Sequence, residues 1–184
     1  AEPSKRIRKD FLMELGLTEG LRRSARIKSL PAASESDLFF CWDANRVDVG
    51  NKKFLVMMNS ANRLCAIMLM SIFDWHRIDE LVPQLIADAI AMAGMSEKEY
   101  RAYMRAAGDV VLTKTHGRKS LGALGGIQQI LRFNEEEIDA SVKTQLNLMA
   151  ECNTFLAGRS ATRKHPGFPF EWFPEDLRMR GIVS

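Results

Sequence analysis

The chain is short of the residues that most often announce a chemistry. It holds three cysteines and three histidines in 184 residues. Cys41, Cys65 and Cys152 stand far apart, and no C-x-x-C pair occurs, so the spacing that usually marks a zinc site is missing. Their neighbours are apolar, which is how a buried structural thiol reads. No H-E-x-x-H sets two histidines on one helix face, and no G-x-x-x-x-G-K-[ST] supplies a phosphate-cradling loop. The longest apolar run, residues 64–70, is far below the roughly 20 residues that span a bilayer. Repeats and low-complexity tracts are absent. The basic N-terminus has no apolar stretch behind it, so no signal peptide is expected. With an odd cysteine count, this favours a reducing cytoplasm. No metal, cofactor or membrane partner is expected.

What is present suits a globular protein. The length fits one domain, and 46% hydrophobic with 27% charged residues is an ordinary balance that argues against disorder. The net charge is only +3, but it is spread unevenly. Residues 1–30 carry Lys5, Arg6, Arg8, Lys9, Arg22, Arg23, Arg26 and Lys28 against Glu2, Asp10, Glu14 and Glu19, eight minus four, or +4. Residues 70–112 hold seven acids and four bases, or −3. Such asymmetry suggests either a side that faces a polyanion or a solvated face.

Periodicity predicts an α+β order. Ile7, Phe11, Leu12, Leu15 and Leu17 fit a short amphipathic helix over 5–17. Residues 31–37 read as a polar linker. Three strands, at 38–42 with 46–49 as a candidate continuation, 52–58 and 64–70, are joined by turns at Gly50-Asn51 and 59–62, an antiparallel meander. A helix stripe follows over 77–93, with Pro83 expected in its first turn. Ser96 and Glu99 form a capping box for a helix over 97–107. Val110 to Leu112 make a short strand. Ser120 is the expected cap of the next helix, and Asn134 the cap of a long one over 135–157. The expected fold is a small antiparallel sheet packed against helices, with that long C-terminal helix. The expected organisation is a basic segment 1–30, a single domain 38–157 and an aromatic, proline-rich tail 158–184.

The junction 113–122, T-K-T-H-G-R-K-S-L-G, holds the densest polar chemistry. Thr113, Lys114, Thr115, His116, Arg118, Lys119 and Ser120 stand between a strand and a helix start, where backbone amides and the helix dipole favour an anion. Arg118 can grip two oxygens. A second reading makes His116 a general base for Ser120 or Thr115; a third makes the loop purely structural, its hydroxyls satisfying caps. Asp43 and Asp48 are a candidate carboxylate pair. Asn59 and Asn62 read as turn residues. His76 and His165 stand alone. Arg159, Arg163, Lys164 and His165 precede Phe168, Phe170, Trp172 and Phe173. Such aromatics stack on unpaired bases or strap the tail over the core.

Trp42-x-Ala-Asn45, the hairpin around Asn59, the helix over 77–93 and Thr113-x-Thr-x-x-Arg-x-x-Leu121-Gly122 together resemble an uncharacterised bacterial domain family of unknown function. The resemblance spans about 38–132 and implies a fold and a site location rather than a reaction. The leading expectation is a non-enzymatic nucleic-acid or polyanion-binding module. It would use the 113–122 junction and the N-terminal bases Lys5, Arg6, Arg8, Lys9, Arg22, Arg23 and Arg26. An enzyme acting on a phosphorylated small molecule is the alternative. A protein-interaction or regulatory module, whose long helix pairs with a partner or a second copy, is the other.

Overall fold

A place between two parallel partners decides the strand that the helical spacing concealed. In a computed structural model, which describes residues 12–160 and 162–183, Met13–Leu17 is a β-strand, β1, buried along its whole length. The expected helix over 5–17 is therefore overturned where it can be compared; residues 5–11 lie outside the described residues. Four more strands follow: β2 (Cys41–Val49), β3 (Lys52–Asn59), β4 (Cys65–Leu69) and β5 (Val110–Lys114). The sheet order is β4-β3-β2-β1-β5. Strands β2, β3 and β4 form the antiparallel meander that the turn residues predict. β1 runs parallel to both β2 and β5, so the sheet is mixed rather than purely antiparallel. A strand with parallel neighbours on either side has every backbone group bonded and both faces covered. That position outweighs the local three-and-four spacing.

Register sorts the side chains. Glu14 pairs with Cys41, Gly16 with Asp43, Asp43 with Met58, and Met58 with Cys65. Cross-strand partners share a face, so these residues lie on one side. The other side carries Leu15 and Trp42, and its centre is aromatic. Trp42 Nε1 donates to the Tyr103 hydroxyl at 2.9 Å, and that hydroxyl donates to the Phe39 carbonyl at 3.0 Å. Phe173 packs its ring 5.2 Å from that of Tyr103.

The helices are α1 (Glu19–Ser24), α2 (Ile78–Met92), α3 (Glu97–Ala107), α4 (Arg118–Phe133), α5 (Leu146–Thr154) and α6 (Pro169–Met179). α2 and α3 match their predicted spans, and both arms of the Ser96/Glu99 capping box are made. Pro83 lies inside α2 rather than in its first turn, because a 3₁₀ turn, Asp74–Arg77, leads into the helix. α4 starts two residues ahead of its expected cap. Gly117, at φ 103°, turns the chain into the helix, and Ser120 is buried within it. α6 replaces the irregular tail and sends Phe173 and Leu177 into the core. Segments 1–30 and 158–184 thus supply β1, α1 and α6.

The long helix over 135–157 is not formed. Glu135–Glu137 makes a 3₁₀ turn, and the helix resumes only at Leu146. The intervening backbone is committed elsewhere. Leu69 N–H donates to the Lys143 carbonyl and Gln145 N–H to that of Ile67, which covers the β4 edge. The Gln145 side chain holds the turn by donating to the carbonyls of Asp139 and Val142. Asn153 from α5 bonds both the N–H and the carbonyl of Cys65. An open strand edge invites foreign pairing; here it is closed from within. Among the described residues no helix is long and apolar enough to cross a membrane.

Candidate functional site: a carboxylate-clamped histidine and a basic groove

Beyond the end of β5 the chain turns inward. His116 donates from its backbone N–H and from Nδ1 to Asp43 Oδ1, each at 2.9 Å, and from Nε2 to Glu14 Oε2 at 2.9 Å. Asp43 Oδ2 accepts from Ser60 Oγ at 2.9 Å. Glu14 also accepts from the Ser34 N–H and hydroxyl and from the Glu35 N–H. The His116 side chain is only 3% exposed. With a carboxylate at each ring nitrogen, both must donate, and the ring is an imidazolium. Burial lowers its pKa, but the hydrogen bond to Asp43 and the Cys41 contact prevail and raise it to about 10. Burial likewise pushes Glu14 up, and the bonds from Ser34 and His116 outweigh it, leaving the carboxyl below its usual range. An imidazolium has no lone pair for a proton, so this histidine is a clamp across β1, β2 and the loop into α4.

Gly16 makes the clamp possible. A Cβ there would lie 2.3 Å from Asp43 Oδ1 and 2.8 Å from the Thr115 backbone. The donor atoms of Glu14, Cys41 and His116 lie within 4.8 Å of one another, the one such metal-type grouping among the described residues. A cation there would have to replace the ring proton and compete with the loop bonds on Glu14. The three thiols are free and buried. Burial raises the Cys41 thiol, and the Cys65 thiol, in hydrogen-bond contact with the Cys152 thiol, titrates higher than usual because of that contact and burial.

The other junction residues are dispersed by burial. Thr113 is buried, and its hydroxyl donates to the Lys114 carbonyl. Ser120 is buried in α4, while Lys114, Arg118 and Lys119 are exposed. Lys119 borders a shallow cavity of about 360 Å³ with Arg159, Ser160, Arg163, Lys164 and His165, so two basic clusters of the sequence meet there. Arg163 is itself engaged by Glu175 and Asp176. Asp43 and Asp48 do not form a pair. They are five positions apart on one strand and so face opposite ways, and Asp48 holds Arg46 instead.

Lys5, Arg6, Arg8 and Lys9 lie outside the described residues. Arg22 and Arg23 pair with Glu19, and Arg22 also donates to the carbonyls of Ile27 and Lys28, closing the end of α1. Arg26 reaches a larger feature, an open groove of about 780 Å³. Its walls come from the end of α1, the β2–β3 turn, the chain after β4 and the 140–143 loop. Arg26, Arg46, Lys52, Lys53, His76 and Lys143 line it, and no acidic side chain does. Arg46 stacks over the Trp75 ring at 5.5 Å. The sequence singled out only Arg26 as a phosphate contact and His76 as a lone histidine among these. The others are isolated charges in the chain, and the fold alone gathers them.

Fold and site define a mixed-sheet α+β domain with a basic concave surface. Over residues 14–172 the chain matches the family described as Domain of unknown function (DUF6933), and it belongs to that family. This agrees with the resemblance to an uncharacterised family and extends it to β1 and the first turn of α6. No curated protein and no solved structure matches the chain.

Proposed function

We propose that the protein is a non-enzymatic polyanion-binding module whose ligand is nucleic acid. The observation that carries this reading is the groove, with five permanent cations and a histidine on its walls and no acid among them. Arg46 and Lys143 are partly neutralised by Asp48 and Asp74. Arg26, Lys52 and Lys53 have no ion pair among the described residues, although Lys53 stands across the strand pair from Asp48, whose charge it shares with Arg46. Clustered cations on a concave surface focus field and draw in a polyanion. Ile72, 76% exposed, lines the groove, and its chain neighbour Phe73, 79% exposed, offers a ring on which an unpaired base can stack. The exposed Lys114, Arg118 and Lys119 make a second basic patch at the 113–122 junction, the anion site of this proposal. We place the module in the cytoplasm, which suits three free thiols.

Anisotropy titration of fluorescent single- and double-stranded oligonucleotides across a salt series tests the reading. Binding is expected at low salt, with log K falling linearly in log salt. Lys52→Ala with Lys53→Ala should lower the slope by about 0.7–0.9 per lost phosphate contact. No binding at low salt, or an unchanged slope, refutes it.

A further inference from the structure

The β3–β4 hairpin forces a charged residue into an unusual place. Asn59 Oδ1 accepts from the N–H groups of Ala61 and Asn62, and Asn62 Oδ1 from that of Leu64. Asn62 Nδ2 is tied to Asp176 on α6 at 3.0 Å. Between these fixed points Arg63 takes φ 68°, a left-handed conformation that non-glycine residues adopt at a cost and that persists where the surroundings impose it. The residue is 7% exposed. Its Nη1 is the one buried side-chain nitrogen or oxygen among the described residues without a hydrogen-bond partner. Burial lowers its pKa, and the charge of Asp43 partly opposes this. Asp43 forms no hydrogen bond with it; its carboxylate oxygens accept from His116 and Ser60.

Arg63 forms part of the wall of a cavity of about 300 Å³ between the sheet and helices α4 and α5. Met58, Ile127, Ile130 and Phe155 give it apolar walls, Arg159 adds a second cation, and no acidic residue lines it. Gly126 of α4 lies on the wall too. A Cβ there would meet nothing within 4 Å, so packing does not require the glycine, which weakens a helix interior. What its missing side chain does is keep the cavity open. A largely apolar cavity with a buried guanidinium in its wall, one nitrogen of it unpaired, has the chemistry of a pocket for an amphipathic acid.

We propose that this cavity is a binding site for a small apolar monocarboxylate, its carboxylate held by Arg63 and its hydrocarbon body by Ile127, Ile130 and Phe155. The site is separate from the basic groove, which lies at the other end of β3. Isothermal titration with octanoate tests it, with octanol as the probe lacking charge and acetate as the probe lacking a body. Octanoate should bind with both controls at least tenfold weaker. Arg63→Gly, which suits the left-handed backbone, should lower octanoate affinity at least tenfold. Gly126→Phe, which fills the cavity and leaves Arg63 in place, should abolish binding with an unchanged circular dichroism spectrum. If Arg63→Gly fails to fold, Gly126→Phe decides. Absence of octanoate binding, octanol binding equal to octanoate, or full binding by a folded Gly126→Phe variant overturns the proposal.

Discussion

At His116, charge and position are inseparable. The ring carries its proton because Asp43 and Glu14 stand at its two nitrogens, and Asp43 can stand there because residue 16 has no side chain. The consequence is a pH dependence of known sign. The folded pKa of about 10 lies above the ordinary 6.5, so between these values the unfolded chain loses a proton that the native state keeps. Stability then falls as pH rises. The contribution is complete below about pH 6.5 and is lost as pH rises through 10. On the acid side the lowered Glu14 works in reverse, its contribution fading as pH falls below 4.5 and through its folded value. Thermal melts from pH 4 to 10 should show a maximum between those limits. His116→Gln should be less stable at pH 6, yet its Tm should fall less than that of the wild type between pH 7 and 10. Parallel alkaline limbs in the two proteins would mean that the ring is neutral. Sequence marked His116 and Asp43 but could not join them, since 73 positions separate them, and Glu14 carried no signal beyond its charge.

At the scale of elements, what was legible was what local rules decide. α2 and α3 announce themselves by apolar period and by a capping box, and β2 to β4 by short apolar runs between turn residues. The failures share one cause. Met13–Leu17 satisfies strand alternation and helical spacing at once, and only its place between two parallel partners chooses. Residues 138, 142, 146 and 149 keep helical spacing, but the backbone between them is used to close the β4 edge, as Gln145 and Asn153 show. The groove was hidden for the same reason, since its charges come from separate segments. Arg118, the first residue of α4, is a case where an element's boundary sets a residue's role. It is exposed and forms no ion pair among the described residues, Asp109 included. Arg118→Ala should therefore leave stability within about 0.5 kcal/mol of the wild type and, if the junction is an anion site, lower oligonucleotide affinity about tenfold. A clear drop in Tm with unchanged affinity would give Arg118 a structural role instead.

Across the whole molecule, β3 links two features of different chemistry. Its first residues, Lys52 and Lys53, belong to the basic groove, and the hairpin after its last residue places Arg63 in the wall of a smaller, largely apolar cavity. An open site lined by solvated cations suits a long ligand held by many weak, salt-screened contacts. A smaller, largely apolar site with a buried cation in its wall suits a short ligand held by a few strong contacts. The two should therefore respond differently to the same perturbations. Removing residues 1–10 takes away Lys5, Arg6, Arg8 and Lys9 together with Glu2 and Asp10, a net loss of +2, and leaves β1, which starts at Met13. This truncation, like Lys52→Ala with Lys53→Ala, should weaken oligonucleotide binding of every sequence alike, because phosphate contacts carry no sequence information. It should also flatten the salt dependence while leaving octanoate affinity unchanged. Gly126→Phe should do the opposite, abolishing octanoate binding and sparing the oligonucleotide. Anisotropy and calorimetry on the three variants read this directly. If octanoate displaced the oligonucleotide, or if both affinities fell together in any one folded variant, the two sites would be one, and the separation along β3 would be wrong.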